Sequence, residues 1–375
     1  MEESQSAQSL LLLDTAQNIV RPALARCYIN FVIRFCAFRR MFALRFSLFF
    51  VLASTIAFSA CGRHHGHSHE AAYVSAPQAI LRDQVAAVYN KMGVVKNSER
   101  VEVLDRDRRY VKVRTSSGVE GWVEQRYLVT QQVYDGFQKL KQSAQNDPVQ
   151  AAGITRNDTN IHLTPDRNGD HLYQLTEGAR VSILKRAATP KLLPGEQQKS
   201  KSDAGSKPVD LEDWWLVRDA QGRTGWVLGR MLDVDAPLDV AQYAEGQRIV
   251  ACFPLNEVTD GDKKVTEYLM LLTEPKDGMP YDFNQIRVFS WNVKRHRYET
   301  AYRERGLVGE LPVTVSHEDF GKEGNLPTFT IRVQDKTGAV MEKKYKMNTP
   351  IVKRVPAPGE ATESPKTPDR SKNRR

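Results

Sequence analysis

Cysteine is scarce in this sequence, which has four cysteines among its 375 residues. Beyond position 61 only Cys252 remains. A lone cysteine cannot close an intramolecular disulfide, so a disulfide-stapled scaffold is excluded for that part of the chain. Its folded domains must therefore be held by apolar cores, and the chain is long enough to bury them.

Catalytic motifs are missing as well: there is no Gly-x-Ser-x-Gly, no His-Glu-x-x-His and no Walker-type phosphate loop. A cysteine peptidase needs an accessible thiolate near a helix start and a histidine within reach. Cys252 instead lies in the apolar run 249–253, which predicts a buried strand with an inert thiol. His296 and His317 have no acidic partner supplied by a motif. We therefore expect a protein that is not an enzyme and that needs no cofactor.

A strong excess of one charge is also lacking, although the formal net charge is +9. Residues 1–60 hold six arginines and three acidic residues, which leaves about +6 for the rest of the chain. This mild excess fits a phosphate-rich or carboxylate-rich envelope. It is too small to indicate nucleic acid, and we expect no nucleic-acid partner.

Residues 46–60 form an uncharged, largely apolar stretch that follows a basic run. Fifteen residues are too few to span a membrane, which takes about 20 in a helix, but they are typical of a secretory signal. The stretch ends in Phe-Ser-Ala-Cys-Gly at 58–62, which resembles the lipobox of bacterial lipoproteins, with Phe58 where leucine is usual. The resemblance implies cleavage before Cys61 and a lipid on its thiol. An ordinary signal peptide with an incidental cysteine is the alternative.

The N-terminal segments are divided accordingly. Residues 1–40 are interpreted as a wrongly assigned extension before a true start at Met41, the alternative being an amphipathic, membrane-associated extension. Residues 41–60 are the predicted lipoprotein signal peptide and 61–72 a His-rich tether. We expect a lipid-anchored envelope protein whose partners include the membrane and whose domains lie in the periplasm. Gly62 rather than Asp after the cysteine favours the outer membrane in a Gram-negative host.

The tether holds four histidines at His64, His65, His67 and His69. Neutral imidazoles bind Zn²⁺, Cu²⁺ or Ni²⁺, so these four are candidate metal ligands. A metal site also needs fixed geometry and outer partners, which nothing in this tract indicates. The alternative is a polar, solvated spacer.

A repeat of about a hundred residues marks the centre of the chain. The segments 110–123 and 214–227 align without gaps, and each closes on Gly-x-x-Gly-Trp-Val. Short runs rich in valine and aromatic residues, separated by glycine-containing turns, indicate small β modules. An internal repeat of this kind supports one fold for both copies.

Both copies resemble the bacterial SH3 (SH3b) family, whose pattern is aromatic-x-Val-Arg-x-x-x-Gly-x-x-Gly-Trp-Val. The resemblance implies small β-barrels at 73–130 and 153–235, with Trp122 and Trp226 in their cores. It also implies binding of peptidoglycan or of an envelope protein. The family's opening strand is eroded in both copies, and the loop after that strand often lines the ligand groove. Such modules often accompany cell-wall hydrolases.

Aromatic residues beside arginines give a candidate ligand face. Neighbouring residues on a strand point to opposite faces, so one of Trp214 and Trp215 should be exposed. Beside Arg218 and Arg223, an exposed indole would stack on a sugar or a peptide. Tyr110 is the aromatic residue that opens the same phrase in the first copy.

The remaining segments complete a mainly β fold: two small SH3-like β-barrels followed by a β-sandwich or meander domain, with a short helix between the barrels. Residues 131–152 are predicted as a helical linker, 187–210 as a disordered insertion, 236–355 as an all-β C-terminal domain and 356–375 as a disordered basic tail. Seven strands are expected in the C-terminal domain, with two of them at 298–303 and 308–315.

These features predict a non-catalytic cell-envelope lipoprotein whose SH3b-like modules bind peptidoglycan or a periplasmic partner. One alternative is a protein-binding periplasmic scaffold without wall affinity. Another is a metal-binding envelope protein that acts through its His-rich tether.

Overall fold

Three antiparallel sheets of seven strands each account for most of the part of the chain that the computed structural model describes, residues 70–191 and 210–357. The prediction of a mainly β fold with a short helix is therefore confirmed. The interpretations of residues 1–69, including Cys61 and the four tether histidines, lie outside the described residues. The same holds for 192–209 and for the tail from 358 onward.

The first sheet forms one module from seven short strands. These are β1 (Ala71–Val74), β2 (Gln78–Arg82), β3 (Lys91–Lys96), β4 (Arg100–Asp107), β5 (Tyr110–Thr115), β6 (Glu120–Glu124) and β7 (Leu128–Thr130). Their spatial order is β3-β2-β6-β5-β4-β1-β7. Alternating residues of β4 and β5, such as Val101, Val103 and Val113, point into a core of their own. Strand β1 begins within the predicted tether, which is therefore shorter at its C-terminal end.

Helix α1 (Gln131–Ser143) follows β7 and lies where the linker helix was expected. The Thr130 hydroxyl accepts a hydrogen bond from the Val133 backbone N–H, which satisfies one of the free donors at the helix start. The helix buries Phe137 against the second module, and Tyr134 stacks on Tyr73 of the first at 3.9 Å between ring centres. The helix thus packs between the two modules.

The second sheet repeats the strand order of the first, β10-β9-β13-β12-β11-β8-β14. Its strands are β8 (Ala151–Thr155), β9 (Thr159–His162), β10 (His171–Leu175), β11 (Arg180–Pro190), β12 (Leu211–Asp219), β13 (Thr224–Leu228) and β14 (Leu232–Val234). The predicted insertion begins too early, because residues 187–190 continue β11 and pair with the start of β12. Gly118 and Gly222 both have positive φ in the hairpin turns that the repeat predicted.

The third sheet is a meander, one of the two architectures expected for the C-terminal domain. After the short helix α2 (Leu238–Ala241), its strands lie in chain order: β15 (Arg248–Asp260), β16 (Lys263–Thr273), β17 (Phe283–Asn292), β18 (Arg297–Asp319), β19 (Asn325–Gln334), β20 (Val340–Asn348) and β21 (Ile351–Val355). The two strands predicted at 298–303 and 308–315 are one long strand, β18. Between the two predicted strands, β18 contains Gly306, opposite a shift in its register with β17.

The second module and the third sheet share one apolar core, in which Ile183 and Trp215 belong to the same cluster as Val250 and Leu255. A buried ion network also joins them. Arg186 Nη2 lies 2.6 Å from Asp213 Oδ1 and Arg186 Nη1 lies 3.2 Å from Asp282 Oδ1. Within residues 70–191 and 210–357, no helix combines the length and the apolar character that a membrane crossing requires.

Candidate functional site

A groove of about 580 Å³ opens on the first module, between the loop that joins β2 to β3 and the turn that joins β4 to β5. Three strands and two connections supply its walls because the sheet order places β2, β6 and β5 side by side. It is lined by Arg82, Val85, Ala86, Ala87, Arg108, Arg109, Tyr110 and Glu124.

Arg82 forms the floor of the groove together with two tyrosines. Its Nη1 donates to the Tyr110 hydroxyl at 2.9 Å, and its guanidinium lies 4.1 Å from the centre of the Tyr89 ring. Its Nη2 lies 3.5 Å from Glu124 Oε1. Tyr110 is 7% exposed, so its ring is largely fixed. The result is a rigid aromatic floor that carries one positive charge held by one carboxylate.

The wall opposite the turn is the loop 83–90, which is clamped at its base. Asp83 accepts hydrogen bonds at 2.8 Å from both the backbone N–H and the side-chain amide of Asn90. The Asn90 backbone bond and then its amide bond lower the pKa of Asp83, so this carboxylate stays ionised at neutral pH. Between these ends the loop presents small and apolar side chains, with Val88 81% exposed. A clamped loop with an accessible apolar tip suits contact with a ligand.

The other wall carries unbalanced positive charge. Arg108 and Arg109 occupy the turn between β4 and β5, where Arg108 has a φ of 53° and both side chains are exposed. Among the described residues, neither forms an ion pair with a carboxylate, and Arg109 lies 5.6 Å from the Tyr110 ring centre. Glu124 is already bound at 2.8 Å by Arg126. The groove therefore favours an anionic ligand with an apolar or ring-shaped part.

The equivalent place in the second module has a different floor, beside a cavity of about 410 Å³ that Arg167, Lys191 and Leu228 help to line. Arg82 pairs with Trp122 and His162 with Trp226, so Arg82 and His162 occupy the same position in the repeat. Trp214 takes the place of Tyr110 and packs edge-on against His162 at 5.2 Å between ring centres. Burial is the largest cause that lowers the pKa of His162, so its imidazole is neutral at pH 7. An apolar pair thus replaces the charged pair of the first module.

The expectation that one of Trp214 and Trp215 is exposed is wrong, since their exposed fractions are 1% and 5%. Trp215 points into the core that the module shares with the third sheet. On the other face, Arg167 from the loop after β9 binds Glu212 at 2.6 Å and closes the module over the start of β12. Strand β12 is therefore covered on both faces at this point, and neither indole is accessible to a sugar or a peptide.

Arg218 and Arg223 have partners within the protein. Arg218 Nη2 donates to the carbonyls of Ala144 and Gln145, the last of these at 3.2 Å, and so binds the C-terminal end of α1. Arg223 Nε lies 2.5 Å from Asp219 Oδ2, and its guanidinium is 5.2 Å from the centre of the Tyr173 ring. Of the five predicted ligand residues, only Tyr110 lines the groove of the first module.

Trp122 and Trp226 were expected in the barrel cores, and this is wrong because both are only partly buried. The residues that point inward are the glycines before them. A Cβ at Gly121 would stand 2.8 Å from the Leu81 Cβ, so only glycine allows β6 to approach β2 this closely. The alternation then places each tryptophan on the outer face, where Trp226 packs beside Leu140 of α1.

The candidate catalytic groups are dispersed. Burial raises the pKa of the Cys252 thiol to about 12, which leaves it without thiolate at neutral pH. His296 Nδ1 lies 2.6 Å from Asp260 at a hairpin tip. No group of three or more metal-ligating side chains occurs among residues 70–191 and 210–357. The metal prediction for the tether histidines concerns residues outside these ranges and stays a prediction.

Comparison with known proteins identifies the first module. The family model described as bacterial SH3 domain matches residues 78–129, so this segment is a bacterial SH3 domain. No curated protein matches the chain. The groove described above lies within this matched segment.

Solved structures with some similarity carry NlpC/P60 names. NlpC2 from Trichomonas vaginalis is 12% identical with a TM-score of 0.15, over 47% of this chain and 54% of that one. An NlpC/P60 family protein from Bacillus cereus is 11% identical with a TM-score of 0.21, over 47% and 63%. NlpC1 from Trichomonas vaginalis is 9% identical with a TM-score of 0.15, over 62% and 87%. This chain thus spans little more than half of the first of these proteins.

The expectation that this chain is not an enzyme is contradicted by these neighbours and is not retained. TM-scores below 0.5 assign no active site to this chain, so no catalytic residue is carried over from them.

Sequence reasoning missed most of the groove, including Arg82, Tyr89 and Glu124. One signal was present: the run Asp-Arg-Asp-Arg-Arg-Tyr at 105–110 places three arginines directly before Tyr110. The loop after the opening strand was named as the usual groove wall, but its clamp between Asp83 and Asn90 depends on a seven-residue separation that matches no motif.

Proposed function

We propose that this chain binds the bacterial cell wall through the groove of its first SH3 domain. The observation that carries the proposal is the pair of exposed arginines beside the aromatic floor, Arg108 and Arg109, which have no carboxylate partner within residues 70–191 and 210–357. This pair lies inside the segment that the bacterial SH3 model matches.

The wall polymer has the chemistry that such a groove recognises. Peptidoglycan combines sugar rings with short peptides that carry free carboxylates. A guanidinium binds a carboxylate through paired hydrogen bonds, each worth about 1.5–3 kcal/mol to a charged group. Val85, Ala86 and Ala87 offer apolar surface for a ring or a methyl group.

The second module is proposed as a divergent SH3 copy with a structural role. Its strand order equals that of the first module, and its closing phrase aligns without gaps. Its counterpart of the charged floor is the pair His162 and Trp214, in which the indole is 1% exposed and the charged guanidinium of the first module is replaced by an imidazole. Its inner face instead joins the core of the C-terminal sheet. In this proposal the first copy binds the cell wall, and the second copy connects the first to the C-terminal sheet.

An envelope location with a lipid on Cys61 is part of the proposal. It rests on the lipobox-like segment 58–62 and on the preceding apolar stretch. Cys61→Ser should move the chain from the membrane fraction to the soluble fraction and abolish incorporation of labelled palmitate. Unchanged fractionation and labelling of the variant would remove the anchor from the proposal.

Co-sedimentation of the full chain with purified peptidoglycan tests the wall proposal. We expect Arg109→Ala to weaken retention about tenfold, which corresponds to about 1.4 kcal/mol. Arg100→Ala is the matched control, since it removes the same charge from the opposite end of β4, about 20 Å away along the strand. Equal retention of both variants would contradict the proposal.

A periplasmic scaffold that binds only protein is the second candidate. The apolar residues Ile80, Met92 and Val94 on β2 and β3 favour it, because they are exposed in the part of the chain that the structure describes. It predicts no retention on peptidoglycan and recovery of the chain only in crosslinked protein complexes.

A further inference from the structure

A second polar cavity, of about 300 Å³, lies in the C-terminal sheet at the junction of β17 and β18. The register there shifts: Phe283 pairs with Gly309 while Gln285 pairs with Arg305, so β18 carries two extra residues. Gly306 stands in this bulge with a φ of 71°. Bulges bend a strand and re-aim its side chains, and they are enriched beside binding sites.

Unpartnered polar atoms concentrate in this cavity. Among the described residues, eight buried side-chain nitrogen or oxygen atoms lack a hydrogen-bond partner, and four of them belong to side chains that line it. They are Gln247 Oε1, Asn284 Oδ1, Gln285 Nε2 and Arg303 Nε. Gln285 is 1% exposed. Leaving such groups unpaired costs free energy, so their collection at one place indicates a ligand that satisfies them.

The cavity carries excess positive charge. Three arginines, Arg287, Arg303 and Arg305, surround the single carboxylate of Glu245 at 2.8, 2.6 and 3.7 Å. The hydrogen bond from Arg303 and then that from Arg287 lower the pKa of Glu245 to about 2, so its charge is constant near neutral pH. The four groups together leave a net charge of two positive units.

Whether each unpaired group is a donor or an acceptor limits the class of ligand that the cavity can bind. Gln285 Oε1 accepts from Arg305 Nε at 2.9 Å, which leaves its Nε2 as an unpaired donor, and Arg303 Nε is a second unpaired donor in the lining of the same cavity. Asn284 Nδ2 donates to the Tyr281 hydroxyl at 3.4 Å, which leaves its Oδ1 as an acceptor. The cavity therefore offers donors for a carboxylate and, next to them, acceptors for an N–H group.

We propose that this cavity binds the C-terminal residue of a peptide, through its carboxylate and its own amide N–H. Arg303, Arg305 and Gln285 receive the carboxylate, while Asn284 and Gln247 accept from the amide. This inference does not depend on the wall-binding groove of the first module.

Titration of the full chain with N-acetylglycine, followed by backbone amide NMR shifts, tests the proposal. Saturable shifts at Gln285, Arg303 and Gly306 are expected, and Arg305→Met should weaken binding at least about tenfold. Arg305 is 62% exposed but donates to the buried Gln285, so the thermal unfolding of the variant is compared with that of the wild type to establish that it is folded. Arg297→Met, on the same strand and 57% exposed, is the control and should bind like the wild type.

Three further probes separate the contributions of the carboxylate and of the amide N–H to binding. N-acetylglycinamide lacks the carboxylate and should not bind, and inorganic phosphate should bind more weakly than N-acetylglycine. Gln247→Ala should weaken the binding of N-acetylglycine and leave the binding of acetate unchanged, because acetate has no N–H. Absence of saturable binding by the wild type, equal binding by Arg305→Met, or preference for phosphate or for the amide would each overturn the proposal.

Discussion

Asp213 is the centre of the ion network between the second module and the C-terminal sheet, and its removal should destabilise the chain strongly. Its side chain is 3% exposed and binds Arg186 at 2.6 Å, Arg248 at 3.0 Å and the Gly278 backbone N–H at 2.9 Å. Asp213→Ala leaves the buried Arg186 with one carboxylate fewer and the Gly278 N–H without its acceptor.

Breaking a buried ion pair from one side costs about 3–5 kcal/mol. The loss here should lie near about 3 kcal/mol, because Arg186 keeps Asp282 and the carbonyls of Met279 and Tyr281. With a urea m-value of about 3 kcal/mol/M, the unfolding midpoint falls by about 1 M. Tryptophan fluorescence is a suitable signal, since Trp214 and Trp215 follow Asp213 on the same strand.

Asp233→Ala is the control, because its partner Arg156 and Asp233 itself are both more than half exposed. An exposed pair of this kind contributes about 0–1 kcal/mol. A midpoint shift for Asp213→Ala no larger than that for Asp233→Ala would refute the view that this network holds the second module to the sheet.

Two further predictions concern titratable groups of the C-terminal sheet whose pKa is raised by desolvation. Cys252 has a pKa of about 12 against 9.0 for a free thiol. Its alkylation at pH 8 should therefore be about 10³-fold slower in the folded chain than after unfolding in urea. Mass spectrometry of the Cys252 peptide measures both rates, and comparable rates would contradict the raised pKa. Burial raises the pKa of Glu267 above its value in the unfolded chain, so ionisation of Glu267 costs stability as the pH rises past that value. Glu267→Gln should therefore raise the melting temperature at pH 7. At about pH 3, where Glu267 is protonated in both the folded and the unfolded chain, the substitution should leave the melting temperature unchanged. An equal effect at both pH values would show that ionisation of Glu267 is not the cause.

The repeat made much of the fold predictable. The two sequence segments that end in Gly-Trp-Val predicted the positions of two hairpins. The valines of β4 and β5 point inward, as the alternation of side chains along a strand requires. Alternation alone does not show what covers the other face. Trp214 and Trp215 are both buried because a loop and the third sheet cover opposite sides of β12, and these partners are distant in sequence.

The sites were less predictable because they depend on register and on loop closure. Gly306 looks like a turn between two strands in the sequence, whereas the neighbouring strand pairs on both sides of it and creates a bulge. Likewise Tyr110 was identified as the opening aromatic of its phrase. Its partner Arg82 comes from a strand 28 positions earlier, and no local pattern connects the two.

Mapping the backbone amide shifts of the full chain on addition of soluble peptidoglycan fragments tests the central claim most directly. The proposal predicts saturable shifts confined to Arg82, the loop 83–90 and the turn that carries Arg108 and Arg109, with the counterpart residues around Trp214 unaffected. Shifts centred on the second module, or none at the groove under saturating fragment, would contradict wall recognition through the first SH3 domain.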